Sequence, residues 1–311
     1  MYVNYRLMKK VLALISFFAV VVTQAQQLPM YSQYLTNDFI INPAVAGSKS
    51  YYPLQINSRN QWSGLGDISP KTNTLSYHMP IAYDAVGVGA VIAQDQTGPY
   101  SQIIVTTSFA YHLQLDDQNI TRLSLGLSGT MTQHTLKQDD LTFHMPDPDF
   151  QGSYSKTVPD ASFGAYLYSN NFTLTLSAHQ LFESKFKEAI QDVFGDNTHV
   201  RHYFAHISYM VGIHSDLAIE PSILLKTTEQ SPTQLDINAK VFVDNKYWGG
   251  ISLRSSKSIV AFLGLKVGDM FLSYSYDYGI NSLSTIASGS QEITIGYNIN
   301  DKRKRRHSYY W

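Results

Sequence analysis

The chain has 311 residues, a formal net charge of −1 and no cysteine. Near-neutral charge argues against nucleic acid as a partner, and the missing thiols exclude disulfides, Cys-based metal sites, a Cys nucleophile and a lipidated cysteine. Charged residues are 15% against roughly 25% in ordinary soluble proteins, while aromatics reach 13% with 22 tyrosines, a balance that suits a membrane barrel or an aromatic-rich extracellular sandwich.

In chain order, the first element is an address. Met8-Lys9-Lys10 is a short basic region, and Val11 to Val22 is an almost wholly apolar run. Thr23-Gln24-Ala25 ends in a small residue, so residues 1–25 read as a cleaved signal peptide, with Met1 or Met8 as the start. The apolar run is shorter than the roughly 20 residues of a membrane span, and any spanning must be by strands. Residues 26–50 carry two prolines in Gln27–Gly47 and no sustained alternation, and are expected to pack in or under the fold that follows.

From residue 51 a period of two takes over. Leu123, Leu125 and Leu127 alternate with Arg122, Ser124, Gly126 and Ser128, and Leu235, Ile237, Ala239, Val241 and Val243 alternate with polar neighbours. Such alternation predicts strands with one apolar and one polar face. The expected strands are 51–60, 73–80, 85–94, 101–114, 120–133, 160–168, 172–181, 200–213, 216–226, 233–243, 247–255, 258–266, 269–278 and 290–299. Their connections sort by parity. Tight links near Ile81–Asp84, Asp116–Asn119, Ser169–Asn171, His214-Ser215, Asp244–Lys246 and Val267-Gly268 follow even-numbered strands. Longer ones, Gln61–Thr72, Thr135–Pro159, Phe182–His199 and Gly279–Gly289, follow odd-numbered strands, with a short exception at Ser255–Lys257. A secreted sandwich has no reason for that sorting, whereas an outer-membrane barrel has short turns at one end and long loops at the other. The fold expected over 51–299 is therefore a single all-β, antiparallel transmembrane barrel of about fourteen strands. Both chain ends are expected in the periplasm, the second as a basic tail at 300–311 containing Lys302-Arg303-Lys304-Arg305-Arg306.

The segment before the barrel carries Tyr31-Ser32-Gln33-Tyr34, Asn37, Asn42-Pro43-Ala44 and Gly47. Arg59, Gln61 and Trp62 follow in Arg59-Asn60-Gln61-Trp62-Ser63-Gly64, then Asp95 and Gly98. In this order and spacing the set resembles the PorP/SprF family of Bacteroidetes outer-membrane proteins, strongly over the first hundred residues and in length and strand rhythm beyond. Thr36 and Val45 depart from the aromatic residues that members often carry there. The resemblance implies a barrel linked to the type IX secretion system. Such a barrel serves a partner, commonly a large adhesin recognised through its C-terminal domain, sometimes for gliding motility, with outer-membrane lipid and periplasmic type IX components as further contacts. Physically, Pro43 holds Asn42 away from helix, Gly47 can supply a positive φ, and Arg59 with Gln61 is expected to face the lumen and bond the N-terminal segment. Those contacts either hold a plug in place or meet the partner directly.

Chemistry of other kinds finds little support. On a strand rising about 3.3 Å per residue, His202 and His206 stand roughly 13 Å apart, and His199 has the opposite parity, so no shared metal is expected. The carboxylates of Asp139-Asp140 and Asp147-Pro148-Asp149 lack the spacing of a calcium loop. No nucleophile elbow, His-Glu-x-x-His or phosphate loop is present, so neither an enzyme nor a cofactor is expected. Tyr83, Tyr100, Tyr111, Tyr203, Tyr209, Tyr247, Tyr274 and Tyr297 are expected to form the aromatic girdles. A transport channel or porin for small solutes is the alternative function.

Overall fold

The computed structural model describes residues 28–82, 84–117, 120–137, 153–187, 196–229, 231–280 and 288–300. The expected signal peptide, Tyr83, the acidic stretch 139–149 and the basic residues beyond Asn300 lie outside them. Seven strands come first: β1 (Tyr52–Asn60), β2 (Lys71–Ile81), β3 (Val86–Thr97), β4 (Tyr100–Gln114), β5 (Arg122–Lys137), β6 (Ser153–Tyr168) and β7 (Phe172–His179). A small ribbon of β8 (Lys185–Lys187) and β9 (Asp196–Thr198) sits in the next connection, which the sequence reading left as a loop. Then come β10 (His202–Tyr209), β11 (Val211–His214), β12 (Leu217–Thr228) and β13 (Gln234–Val243). The last four are β14 (Tyr247–Arg254), β15 (Ser258–Val267), β16 (Met270–Gly279) and β17 (Ser290–Ile299).

Each strand pairs antiparallel with its sequence neighbour, β10 bridges β7 and β12, and β17 pairs β1. The result is a closed fourteen-stranded barrel. β11 continues β10 beyond a break at Met210, whose N–H bonds the carbonyl of Asn171, and pairs only with β12. The expected 200–213 strand is thus interrupted. The 160–168 strand instead extends back to Ser153, its Pro159 paired opposite Met131.

The faces follow from the pleat. Leu235, Ile237 and Val243 are exposed, whereas Asp236, Asn238 and Lys240 between them are buried. Leu125 and Leu127 likewise point out and Ser124 and Ser128 in. Polar residues outnumber apolar ones in the interior, the reverse of a water-soluble core, and the apolar outer face matches hydrocarbon. Tyr111, Tyr209, Tyr247 and Tyr297 are exposed near the short-turn ends of their strands, with Tyr203 near the opposite end, as girdles require. Tyr100 departs from that expectation. It shares lumen parity with buried Gln102 and bonds His134.

One end of the barrel carries tight turns. In the β13–β14 hairpin Asp244 and Asn245 both have positive φ (54° and 51°), the two-residue turn whose twist matches the flanking strands. At the other end the β14–β15 link is short, as expected, and the β3–β4 link shrinks to Gly98 and Pro99, with Gly98 at φ 55°.

Candidate functional site: a lumen threaded by the N-terminal segment

Residues 28–50 run down the lumen from the long-loop half to the short-turn end as three 3-10 turns, Gln33–Leu35, Asp38–Ile40 and Pro43–Val45. The upper part meets one wall through charge. Arg59 donates to Glu292 (3.0 Å) and Asp277 (3.2 Å), and Arg254 donates to Asp277 (2.8 Å) and is ion-paired with Asp236 (3.2 Å). Glu292, Arg59, Asp277, Arg254 and Asp236 form an alternating ladder across five strands. The segment caps it. Ser32 and Gln33 donate backbone N–H groups to the Glu292 carboxylate at 2.7 and 3.3 Å, and the Ser32 hydroxyl accepts from both arginines. Tyr31 bonds Thr74, Tyr34 bonds Asp236 and Asn238, and Asn37 donates to Ser76 at 2.8 Å. Charges out of water persist only when paired and bonded in this way.

The lower part meets the opposite wall through backbone proximity. The Asn42 amide donates to the carbonyls of Ala165 (2.9 Å) and Leu176 (3.4 Å), while its oxygen accepts the Ala44 N–H at 2.8 Å. Pro43 at the first turn position cannot donate and needs no partner there. The chain then lies on three lumen-facing glycines. A Cβ on Gly164 would stand 1.8 Å from Asn42 Oδ1, on Gly126 2.3 Å from Ala44 N, and on Gly87 1.8 Å from Ala46 O. Gly47 turns at φ 74° against Gly87, its N–H bonded to His78 Nδ1, and His112 bonds the Ala46 carbonyl. Ala44, Val45 and Ala46 are fully buried with Phe39 and Tyr166.

Between these parts Asp38 and Lys49 pair at 3.1 Å. Burial pushes the Asp38 carboxyl up, but the Lys49 ammonium outweighs it and holds it below the usual range. Burial likewise opposes the Lys49 charge, and Asp38 with the nearby tyrosines raises its pKa above the ordinary value. The rest of the short-turn half is filled from the wall. Trp248, Phe262 and Phe271 lie over the glycines directly opposite them, Gly264, Gly250 and Gly296.

Of the other expected residues, Gln61 lies past the end of β1 and bonds the Pro70 carbonyl through its backbone, outside the clamp. Trp62 is at the rim, 38% exposed with φ 54°, bonded to the Ser290 hydroxyl. Asp95 accepts from Thr72 and Gln102 beside the lumen, away from the segment's own bonds. His199 stands in a chain of hydrogen bonds, Asp160–His199–His134–Tyr100, with 3.0 Å and 3.2 Å for the first two links. His202 bonds the Val200 carbonyl and His206 abuts Tyr34 edge-on, and among the described residues no three metal ligands converge. The sequence reading did not single out Asp236, Arg254, Asp277, Glu292 or the glycines Gly87, Gly126 and Gly164. Their signal was available in strand parity, which places every one on the lumen face.

A closed barrel with apolar outside, polar inside and a lumen threaded by its own chain defines a plugged outer-membrane β-barrel. The chain belongs to the PorP/SprF family of type IX secretion system membrane proteins, whose sequence model matches residues 23–297. No curated relative matches the chain. Among solved structures it is similar to the CymD monoaromatic hydrocarbon channel, at TM-score 0.53 and 9% identity over 88% of this chain and 94% of that one. It is also similar to the Ralstonia pickettii toluene transporter TbuX, at 0.49 and 8% over 83% and 92%. The Acinetobacter baumannii outer-membrane protein Omp33 follows, at 0.47 and 9% over 80% and 98%. At 9% identity the CymD likeness speaks for the barrel fold alone.

Proposed function

We propose that this barrel is an outer-membrane mount for a type IX secretion substrate, such as a large surface adhesin used in attachment or gliding. It binds the substrate's C-terminal domain at the long-loop end and anchors it or assists its export. The observation that carries this reading is the occupied lumen: a family linked to secretion here closes its channel with its own chain, held on both walls. A plugged barrel is a platform rather than an open pore. Long loops then face outward and short turns face the periplasm, the usual arrangement. On that orientation Ile299 ends β17 on the periplasmic side, where type IX components are within reach. Leu28, in contrast, lies in the outer half of the lumen, so the direction of the described segment does not lead toward the periplasmic N-terminus expected from sequence.

The second reading is a channel for small solutes, favoured by an unfilled cavity in the outer half of the lumen. Affinity capture from native outer membranes should recover one large secreted protein, dependent on that protein's C-terminal domain. Planar bilayers should show no steady conductance. Steady ion conductance with no copurifying partner would overturn the mount in favour of the channel.

A further inference from the structure

Because the segment leans on the β13–β17 wall above and on the β3–β7 wall below, it leaves a cavity beside its upper part. The cavity offers about 120 Å³ to water-sized groups, within a wider unfilled region continuous with solvent. Its lining is largely apolar, with Ile41, Val91, Ile104, Phe204 and Leu224 among it, and hydroxyls of β4 and β5 on one side. One charged group reaches this space unmatched. Lys226 is only 9% exposed, and among the described residues its ammonium makes no hydrogen bond or ion pair; it lies over the Phe204 ring, 5.7 Å from the centroid.

The other buried cations of the lumen are all engaged. Arg59 and Arg254 sit in the ladder, and Lys240 donates to the Leu35 carbonyl at 3.0 Å. Asp236 is not an available counter-ion for Lys226. One of its oxygens accepts from Gln234, and the other accepts from Tyr34 and is ion-paired with Arg254. At longer range Arg254 and Asp236 act on Lys226 in opposite senses. A buried ammonium beside an apolar void is costly unless an anion meets it.

We infer that the outer lumen is a binding site for a carboxylate carried on an apolar chain, with the carboxylate on Lys226 and the chain along Phe204, Leu224, Ile41 and Ile104. A single negative charge fits better than a phosphate dianion, because Asp236 and Asp160 also border the cavity. Two sources share this chemistry: a free medium-chain fatty acid and the apolar C-terminus of a polypeptide. This site is independent of the adhesin reading, since binding at Lys226 can hold or fail whatever docks on the loops.

The test uses the full-length mature protein in detergent-free nanodiscs, with the heat-dependent gel shift as a folding check on every variant. Calorimetric titrations compare octanoate with octanamide, and an N-acetylated trileucine peptide with its C-terminal amide. Saturable binding of either acid, weakened at least about tenfold in Lys226→Met and restored in Lys226→Arg, supports the site. The uncharged amides should be indifferent to Lys226→Met. Which acid binds identifies the source. Ile104→Trp, which narrows the cavity along the path of the apolar chain, should weaken acid binding. If neither acid saturates the folded wild type, or Lys226→Met or Ile104→Trp binds as wild type does, the inference is overturned.

Discussion

The two halves of the lumen segment are held by different physics. From Tyr31 to Asn37 the segment is held at side-chain reach, by Glu292, Arg59, Arg254, Lys240 and Ser76 of the wall extending to its backbone and side chains. From Asn42 to Gly47 the backbone itself lies on the sheet, and what permits it is the absence of side chains at Gly164, Gly126 and Gly87. Charge pairing specifies partners but tolerates adjustment; contact with a Cβ-free track specifies position and tolerates almost none. The upper half is therefore a clamp and the lower half a seat.

The sharpest way to break this contrast is to remove one rung of the clamp. Arg59→Met leaves Glu292 and part of Asp277 buried without a cation and should cost about 3–5 kcal/mol. Denaturant unfolding in lipid vesicles measures the loss. Limited proteolysis should show new cleavage within 31–37 while 42–47 stays protected. If the paired change Arg59→Met with Glu292→Leu costs as much as the single one, the penalty is packing and not stranded charge.

Next is the seat. Gly126→Val forces side-chain atoms into the Ala44 backbone and should cost about 1–3 kcal/mol, exposing 42–47 while the clamp holds. Gly129→Val on the same strand, with nothing within 4 Å, is the matched control and should leave the melting profile unchanged. Equal effects at the two glycines would dissolve the idea of a track.

A smaller effect is expected at the hinge between the halves. Asn42→Ala deletes the cap on the Ala44 N–H and the bonds to Ala165 and Leu176, at about 1 kcal/mol. Asn42→Asp keeps the cap but loses both donors, so stability between wild type and alanine would divide the two contributions. The smallest effect concerns Asp38 and Lys49, each about one-fifth exposed, where the pair contributes about 1 kcal/mol. The Asp38 pKa is depressed in the folded state, so its contribution is present above the unfolded carboxylate range and disappears as pH falls through the folded value. The Lys49 pKa is raised, so its share is present at neutral pH and disappears only as pH rises through its elevated folded value. Asp38→Asn should flatten the acid limb of the unfolding profile near pH 4 and below. An unchanged limb would show that Asp38 does not carry it.

Much of this was legible from alternation alone. Period two is a local property, so Leu235 to Val243 announced both strand and faces, and turn chemistry announced the short ends. Register is not local. Nothing in the spacing of Arg59 and Glu292 says that β1 and β17 are neighbours and bring the two side chains together. Likewise Gly126 looks like any strand glycine until Ala44 is laid against it. The seven residues of Ser153–Pro159 were missed because Pro159 argues against a strand interior, yet it is tolerated opposite Met131. Gln61 is grouped with Arg59 by parity, but the strand ends at Asn60 and the pleat no longer directs it.

The pairing of β1 with β17 also carries a consequence for how the molecule is made. The lumen segment is synthesised before any strand, and the closing ladder of nine residue pairs, Tyr52 with Ile299 through Asn60 with Gln291, joins the first strand to the last. The closed seam encloses the segment on its track of Gly164, Gly126 and Gly87. Once the seam is shut, leaving the barrel requires either reopening that ladder or dragging the clamp residues past the wall. Removing the segment is thus opposed by a barrier at the seam in addition to its contacts, so its retention has a kinetic part besides the equilibrium one.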